Sequence, residues 1–138
     1  EELIDLPSVQ IENLKAKTDT GAYSSAIDCC YAKEVLNKEG EPRLEYILLN
    51  PKRKDYTGKK QRTRHFKKKT VRSSNGMETH RYQIKMTIVL KGRKMKTTFN
   101  LSDRVKMRYA VLIGRKTIAG KFLVDVSVNR KTRNSKSK

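Results

Sequence analysis

From Thr79 to Leu90 apolar and polar residues alternate: Tyr82, Ile84, Met86, Ile88 and Leu90 share one face, and Arg81, Gln83, Lys85 and Thr87 the other. A period of two predicts a strand with one face on a core. Gly92 then turns the chain, and Met95, Thr97, Phe99 and Leu101 continue the alternation in a partner strand. Upstream, Leu3 to Pro7 reads as a short lead-in strand, and Val9 to Lys17 as a second carrying Val9, Ile11, Leu14 and Ala16. Ser24 to Tyr31 reads as a returning strand, with Ser25, Ile27, Cys29 and Tyr31 toward the core and Ser24, Ala26, Asp28 and Cys30 away from it. Lys33 to Pro42 is charged and punctuated by Gly40 and Pro42, which predicts a loop or one frayed helical turn.

Leu44 to Asn50 is a further β-rich run, stopped by Pro51. Asn75-Gly76 is a hairpin signal, because a type I′ turn wants positive φ at both central residues. Asn100 to Arg108 reads as a polar crossover and Val111 to Ile113 as a fully apolar strand. Arg115 to Ala119 reads as one helical turn and Phe122 to Val128 as a last strand. Short strands at regular spacing, with almost no helix and no internal repeat, predict an all-β closed barrel with one short helix.

Composition adds an extreme. Lys and Arg number 33 against 14 Asp and Glu, a net charge of +19 in 138 residues. The charge is uneven: Pro51 to Arg72 holds eleven Lys or Arg and one acid, Asp55, with Tyr56, His65 and Phe66 among them. The expected domain is therefore a barrel over residues 1–128 with a basic insert at about 51–70, followed by a disordered basic tail over 129–138. Cys29 and Cys30 are adjacent, and strand neighbours point to opposite faces, so a disulfide framework is not expected. That favours a reducing, cytoplasmic compartment. The chain opens on Glu1-Glu2 without Met, which leaves a removed targeting segment open. No apolar run reaches membrane-spanning length, so no membrane partner is expected.

The candidate chemistry sits at Asp19-Thr20-Gly21-Ala22. An apolar strand delivers Asp19, Thr20 offers a hydroxyl and an N–H beside it, and Gly21 lets the chain turn and a substrate backbone approach. A carboxylate held at a strand end is placed as a general acid or base needs to be. Asp-Thr-Gly is also an ordinary turn, and the tripeptide alone does not separate the two readings.

A second feature does more. Ala110-Val111-Leu112-Ile113-Gly114-Arg115, running on into Lys116-Thr117-Ile118, resembles the second signature of retropepsin-like aspartic peptidases, and Val71 to Glu78 between the two resembles their flap hairpin. Closer still is a bacterial retropepsin-like family labelled ATP-dependent zinc proteases. Its succession of motifs is matched by Ala16 to Ser25, Ser73 to Gly76, Asp103 to Met107, Leu112 to Arg115 and Val124-Asp125. The resemblance implies an aspartic endopeptidase acting on a polypeptide, with two Asp19 carboxylates paired across a homodimer, since the chain holds one Asp-Thr-Gly. It assigns Asp19, Thr20 and Gly21 to catalysis, Ala22, Ser73, Ser74, Asn75 and Gly76 to substrate binding, and Leu112, Ile113, Gly114 and Arg115 to support of the active loop. Viral members carry an acid where Tyr23 stands, so Arg115 needs another partner; Asp103 and Asp125 are candidates.

No cofactor is expected. His65, His80, Cys29 and Cys30 form no zinc motif, and no phosphate-binding Gly-rich loop is present. The basic run over residues 52–72 carries a reading of another class: a non-catalytic barrel binding nucleic acid or an acidic protein, with cations on phosphates and rings on bases. The same run is also readable as a solvated loop that keeps a small barrel soluble, which charge runs usually are.

Overall fold

The computed structural model describes residues 1–72 and 74–118. The expected strand over 122–128, the tail over 129–138, and with them Asp125, lie outside the described residues, as does Ser73. The strands are β1 (Glu2–Leu6), β2 (Ile11–Asp19), β3 (Ser25–Leu36), β4 (Pro42–Leu48), β5 (Gln61–Thr63), β6 (Phe66–Arg72), β7 (Glu78–Leu90), β8 (Arg93–Ser102) and β9 (Val111–Gly114). A helical turn follows over residues 115–118.

Six strands close a barrel in the order β3-β8-β7-β1-β2-β9, and β9 pairs back onto β3. Two of these pairings are parallel, β3 with β8 and β2 with β9; the rest are antiparallel. β4 and β5 extend outward from β3, and β6 adds to β7. The barrel is filled by the alternate residues that periodicity singled out: Ile84, Met86, Ile88 and Leu90 from β7 face Met95, Phe99 and Leu101 from β8. Met86 and Met95 fill the core, whereas Met77 and Met107 are exposed.

Several expectations change. The segment from Lys33 to Pro42 is neither loop nor helix: β3 runs through to Leu36, β4 starts at Pro42, and the two pair along this length. Only residues 37–41 turn, because the Asn37 side-chain oxygen takes the N–H groups of both Glu39 (3.0 Å) and Glu41 (2.8 Å). The insert loops over residues 51–60 as expected, but β5 then pairs with β4. Glu45 fastens that pairing, 7% exposed and bonded to Tyr31 Oη at 3.0 Å and Arg62 Nε at 3.0 Å. The Arg62 bond holds the Glu45 carboxyl below the usual carboxylate range. At the β6–β7 tip the positive φ falls at Gly76 (84°); the two-residue left-handed turn is instead Lys91-Gly92, at 54° and 77°, between β7 and β8.

The largest departure is Asp28. Strict alternation puts it outside, yet it is fully buried. β3 changes neighbours here: Ser25 to Asp28 pair with β8, whereas Tyr31 to Leu36 pair with β4. Loops that end the barrel converge on the gap and bring donors without strand partners. Asp28 Oδ1 accepts from Asn50 Nδ2 (2.6 Å) and from the Arg104 amide (2.7 Å), while Oδ2 accepts from Arg53 Nε (2.6 Å). Arg53 passes the network on to the Arg104 and Met107 carbonyls at 2.6 and 3.0 Å. Asp103 is bonded to Asn50 and to the Val105 amide, and no ion pair joins it to Arg104 among the described residues.

A buried charge stripped of its partner costs about 3–5 kcal/mol, far more than the intact pair contributes. Asp28→Ala is therefore expected to lower unfolding stability by roughly that amount in urea, and Asp28→Asn combined with Arg53→Met to recover part of it. A loss under about 1 kcal/mol for Asp28→Ala would show that the network is not what closes this end of the barrel.

Candidate active site

Asp19 is the last residue of β2, and its register partner across the parallel pairing is Gly114, the last residue of β9. β9 runs between β2 and β3, so the loop from Thr20 to Ser24 must pass over the end of β9 to reach β3. That crossing is close. A Cβ on Gly114 would lie 2.5 Å from the Ser24 carbonyl oxygen and 2.7 Å from that of Tyr23. Only glycine lets the loop lie on the strand at this point.

The loop is fastened from below. The Arg115 and Lys116 amides, at the open start of the helical turn, donate to the Ala22 and Tyr23 carbonyls at 2.8 and 3.1 Å. Ser25 Oγ accepts from the Gly114 amide (3.0 Å) and meets Thr117 Oγ1 at 2.7 Å, all in a buried setting. Above this base, Asp19 is only half-buried. Its Oδ1 accepts the Gly21 amide at 2.9 Å, and its main-chain carbonyl accepts the Ala22 amide at 3.1 Å. Oδ2 accepts no hydrogen bond among the described residues, so one oxygen is fixed by the loop and the other is open to water or substrate.

Asp19, Thr20, Gly21 and Ala22 thus sit together over Leu112, Ile113 and Gly114, as the motifs suggested. Leu112 and Ile113 pair with Lys17 and Thr18, and Ile113 is fully buried behind the loop. Arg115 does not use Asp103; its Nη1 reaches the Thr20 carbonyl at 3.4 Å and its guanidinium lies 5.4 Å from the centre of the Tyr23 ring. Tyr23 is 56% exposed beside Asp19's loop. Ser74, Asn75 and Gly76 form the exposed tip between β6 and β7.

Sequence reasoning missed Ser25 and Thr117 as site residues. Parity puts Ser25 on the core face, but nothing local shows that its hydroxyl joins the Gly114 amide to a helical turn 92 residues on. The core-side Ser among apolar neighbours was the available signal, since a buried hydroxyl needs a partner.

The residues present do not suit zinc. Cys29 is buried, with its thiol pushed up to about 11 by that burial, whereas Cys30 is exposed. His80 bonds Thr70 on an exposed strand pair, and no three His, Cys, Asp or Glu side chains converge among the described residues.

Comparison with known proteins agrees with the barrel fold. The chain is 29% identical over 127 residues to probable alpha-L-glutamate ligases of Shewanella pealeana and Shewanella halifaxensis, and 28% identical to one of Parasynechococcus marenigrum. The match covers 92% of this chain but 28% of each Shewanella protein, so the chain spans under a third of the length of these relatives. A crystal structure of a Legionella pneumophila protein of unknown function superposes with a TM-score of 0.63 at 24% identity, covering 86% of this chain and 82% of that one. The sequence model of the RimB-like family, described as retropepsin-like aspartic endopeptidase RimB, matches residues 1–135. The chain belongs to the RimB-like family of retropepsin-like proteins.

Proposed function

We infer that the protein is an aspartic-type endopeptidase whose centre forms when two copies bring their Asp19 loops together. The observation that carries this reading is the Asp19 carboxylate, with Oδ1 held by the Gly21 amide and Oδ2 left open on a half-buried strand end. The sequence has one Asp-Thr-Gly and no Asp-Ser-Gly, so a second carboxylate of the same kind must come from a second copy. A two-fold axis supplies it in the same geometry.

Two such carboxylates share one proton and hold a water between them. The ionised member takes a proton from the water as its oxygen attacks the scissile carbonyl carbon. The protonated member gives its proton to the carbonyl oxygen, and a gem-diol forms. Collapse of the diol returns a proton to the leaving nitrogen as the C–N bond breaks, leaving a carboxylic acid, an amine and the pair ready for another water. Gly21 and Ala22 line the substrate strand, and the Ser74–Gly76 tip closes over it. The ligase name of the longer relatives makes glutamate-rich peptides the first substrates to try.

Asp19→Asn is expected to abolish peptide cleavage near pH 5 while leaving the fold intact; retained cleavage excludes the mechanism. Mixing wild-type and Asp19→Asn subunits in equal amounts, with exchange, should leave about a quarter of the wild-type rate, because only like pairs of wild-type subunits carry both carboxylates. A value of about one half would mean that each subunit works alone.

Ser25→Ala removes the acceptor of the buried Gly114 amide. It should cost about 1–3 kcal/mol of stability and lower the turnover number more than it raises the Michaelis constant. Gly114→Ala, forced against the Ser24 carbonyl, should be worse in both respects. Wild-type turnover in either variant would show that the loop's seat does not position Asp19.

A further inference from the structure

Part of the positive charge in the basic run over residues 52–72 is not free. Arg53 is consumed by Asp28, Arg62 and Lys60 by Glu45, Lys68 by Glu34 and Arg72 by Glu78. Lys59 bonds Gln10. Five of the eleven cations are therefore paired with acids, whereas Lys52, Lys54, Arg64, Lys67 and Lys69 join no ion pair among the described residues.

A block of unpaired charge lies on the outer face of β6, β7 and β8, where Lys67 and Lys69 of the run stand beside cations of the other two strands. Register places Lys67 opposite Gln83, Lys69 opposite Arg81, Lys85 opposite Thr98, Thr87 opposite Lys96 and Val89 opposite Lys94. Alternation turns all of these to one side, since the intervening Ile84, Met86 and Ile88 fill the barrel. Lys67, Lys69, Arg81, Lys85, Lys94 and Lys96 are all exposed, none joins an ion pair among the described residues, and these three strands put no acid on that face. Strand geometry spaces the cations about 5 Å across and about 7 Å along the sheet. Lys69 directly across from Arg81 is a like-charge pair that costs stability. Such an array is relieved by a polyanion lying on it.

One end of the face opens into a recess of about 460 Å³. Arg64, Lys67, Lys85 and Lys116 surround it, His65 offers an exposed ring, Phe66 packs against Tyr82 and the core at its wall, and Thr98 and Gln83, whose amide nitrogen donates to Asn100 Oδ1 at 2.7 Å, complete the lining. That volume lies in the range of small-ligand sites. Cations for phosphate and a ring for stacking are the combination that single-stranded nucleic acid uses on its binding proteins. Carboxylates of an acidic peptide would need only the cations.

We propose that the outer face of β6, β7 and β8 binds single-stranded nucleic acid, its phosphates on Lys67, Lys69, Arg81 and Lys85 and one nucleotide in the recess beside His65. This surface acts whether or not the Asp19 centre cleaves peptides.

The test is fluorescence anisotropy of the full chain with labelled 12-residue oligo(U) and oligo(dT), from low to physiological salt, with poly-L-glutamate of matched charge as competitor. Lys67→Gln with Lys85→Gln should weaken binding about tenfold and make the log–log salt slope shallower by about 1.4. Lys52→Gln with Lys54→Gln, equal in charge but off the face, should change affinity less than about twofold. His65→Ala, at an exposed position, should weaken oligonucleotide binding severalfold while leaving poly-L-glutamate binding unchanged. Equal losses for the two lysine pairs would reduce the effect to net charge and overturn the proposal. So would the absence of binding at physiological salt. Displacement by poly-L-glutamate at equal concentration, with no effect of His65→Ala, would overturn it in favour of an acidic polypeptide.

Discussion

The contact on which the functional loop depends is the one between a strand with no side chain and a carbonyl with nowhere else to go. β9 must enter between β2 and β3 to close the barrel, and the chain linking those two strands must cross over its end. The crossing is possible because Gly114 leaves room for the Ser24 carbonyl. Once there, the loop is held by donors that the strand end and the following helical turn would otherwise leave unsatisfied: the amides of Gly114, Arg115 and Lys116. The same bonds that complete the barrel thus fix the direction of Asp19. Fold closure and site geometry are one event here.

Much of this is legible in the chain. The alternation from Tyr82 to Leu90 and from Met95 to Leu101 reports the barrel wall directly, because side chains of a strand with one buried face must alternate. Val111-Leu112-Ile113 lacks alternation, and it is the strand between two others, with Val111 and Ile113 fully buried. Asp19 at the end of an apolar approach and Gly114 after an apolar run are both found where the motifs place them. Their adjacency is not local information, and only the order of the two motifs carried it.

What alternation could not reveal was the point where it fails. Asp28 belongs by parity to the outside of β3, and becomes interior because β3 hands over from one partner strand to another and loops crowd the gap. Its partners Asn50, Arg53 and Arg104 come from two distant loops, so no spacing rule connects them. Arg53 shows the same limit from the other side. Within a run of eleven cations it looked like one more solvated charge, yet its guanidinium is what ties the insert to the barrel. Charge counted along a sequence says how much is present; only register and pairing say which of it remains available, and here Lys67 and Lys69 of the insert join Arg81, Lys85, Lys94 and Lys96 on one face of the sheet.

The proposed centre requires two Asp19 loops to meet at a two-fold axis, and cross-linking reads that meeting directly. With Cys30 replaced by Ser to remove the exposed native thiol, Asp19→Cys subunits under mild oxidation should form a disulfide-linked dimer, a bond that requires the two Cα atoms to come within roughly 4.4–6.8 Å. A cysteine at Thr57, exposed on the insert loop, should stay monomeric under the same conditions. Free thiols and a monomer for Asp19→Cys, at the concentrations used to assay peptide cleavage, would contradict the paired centre.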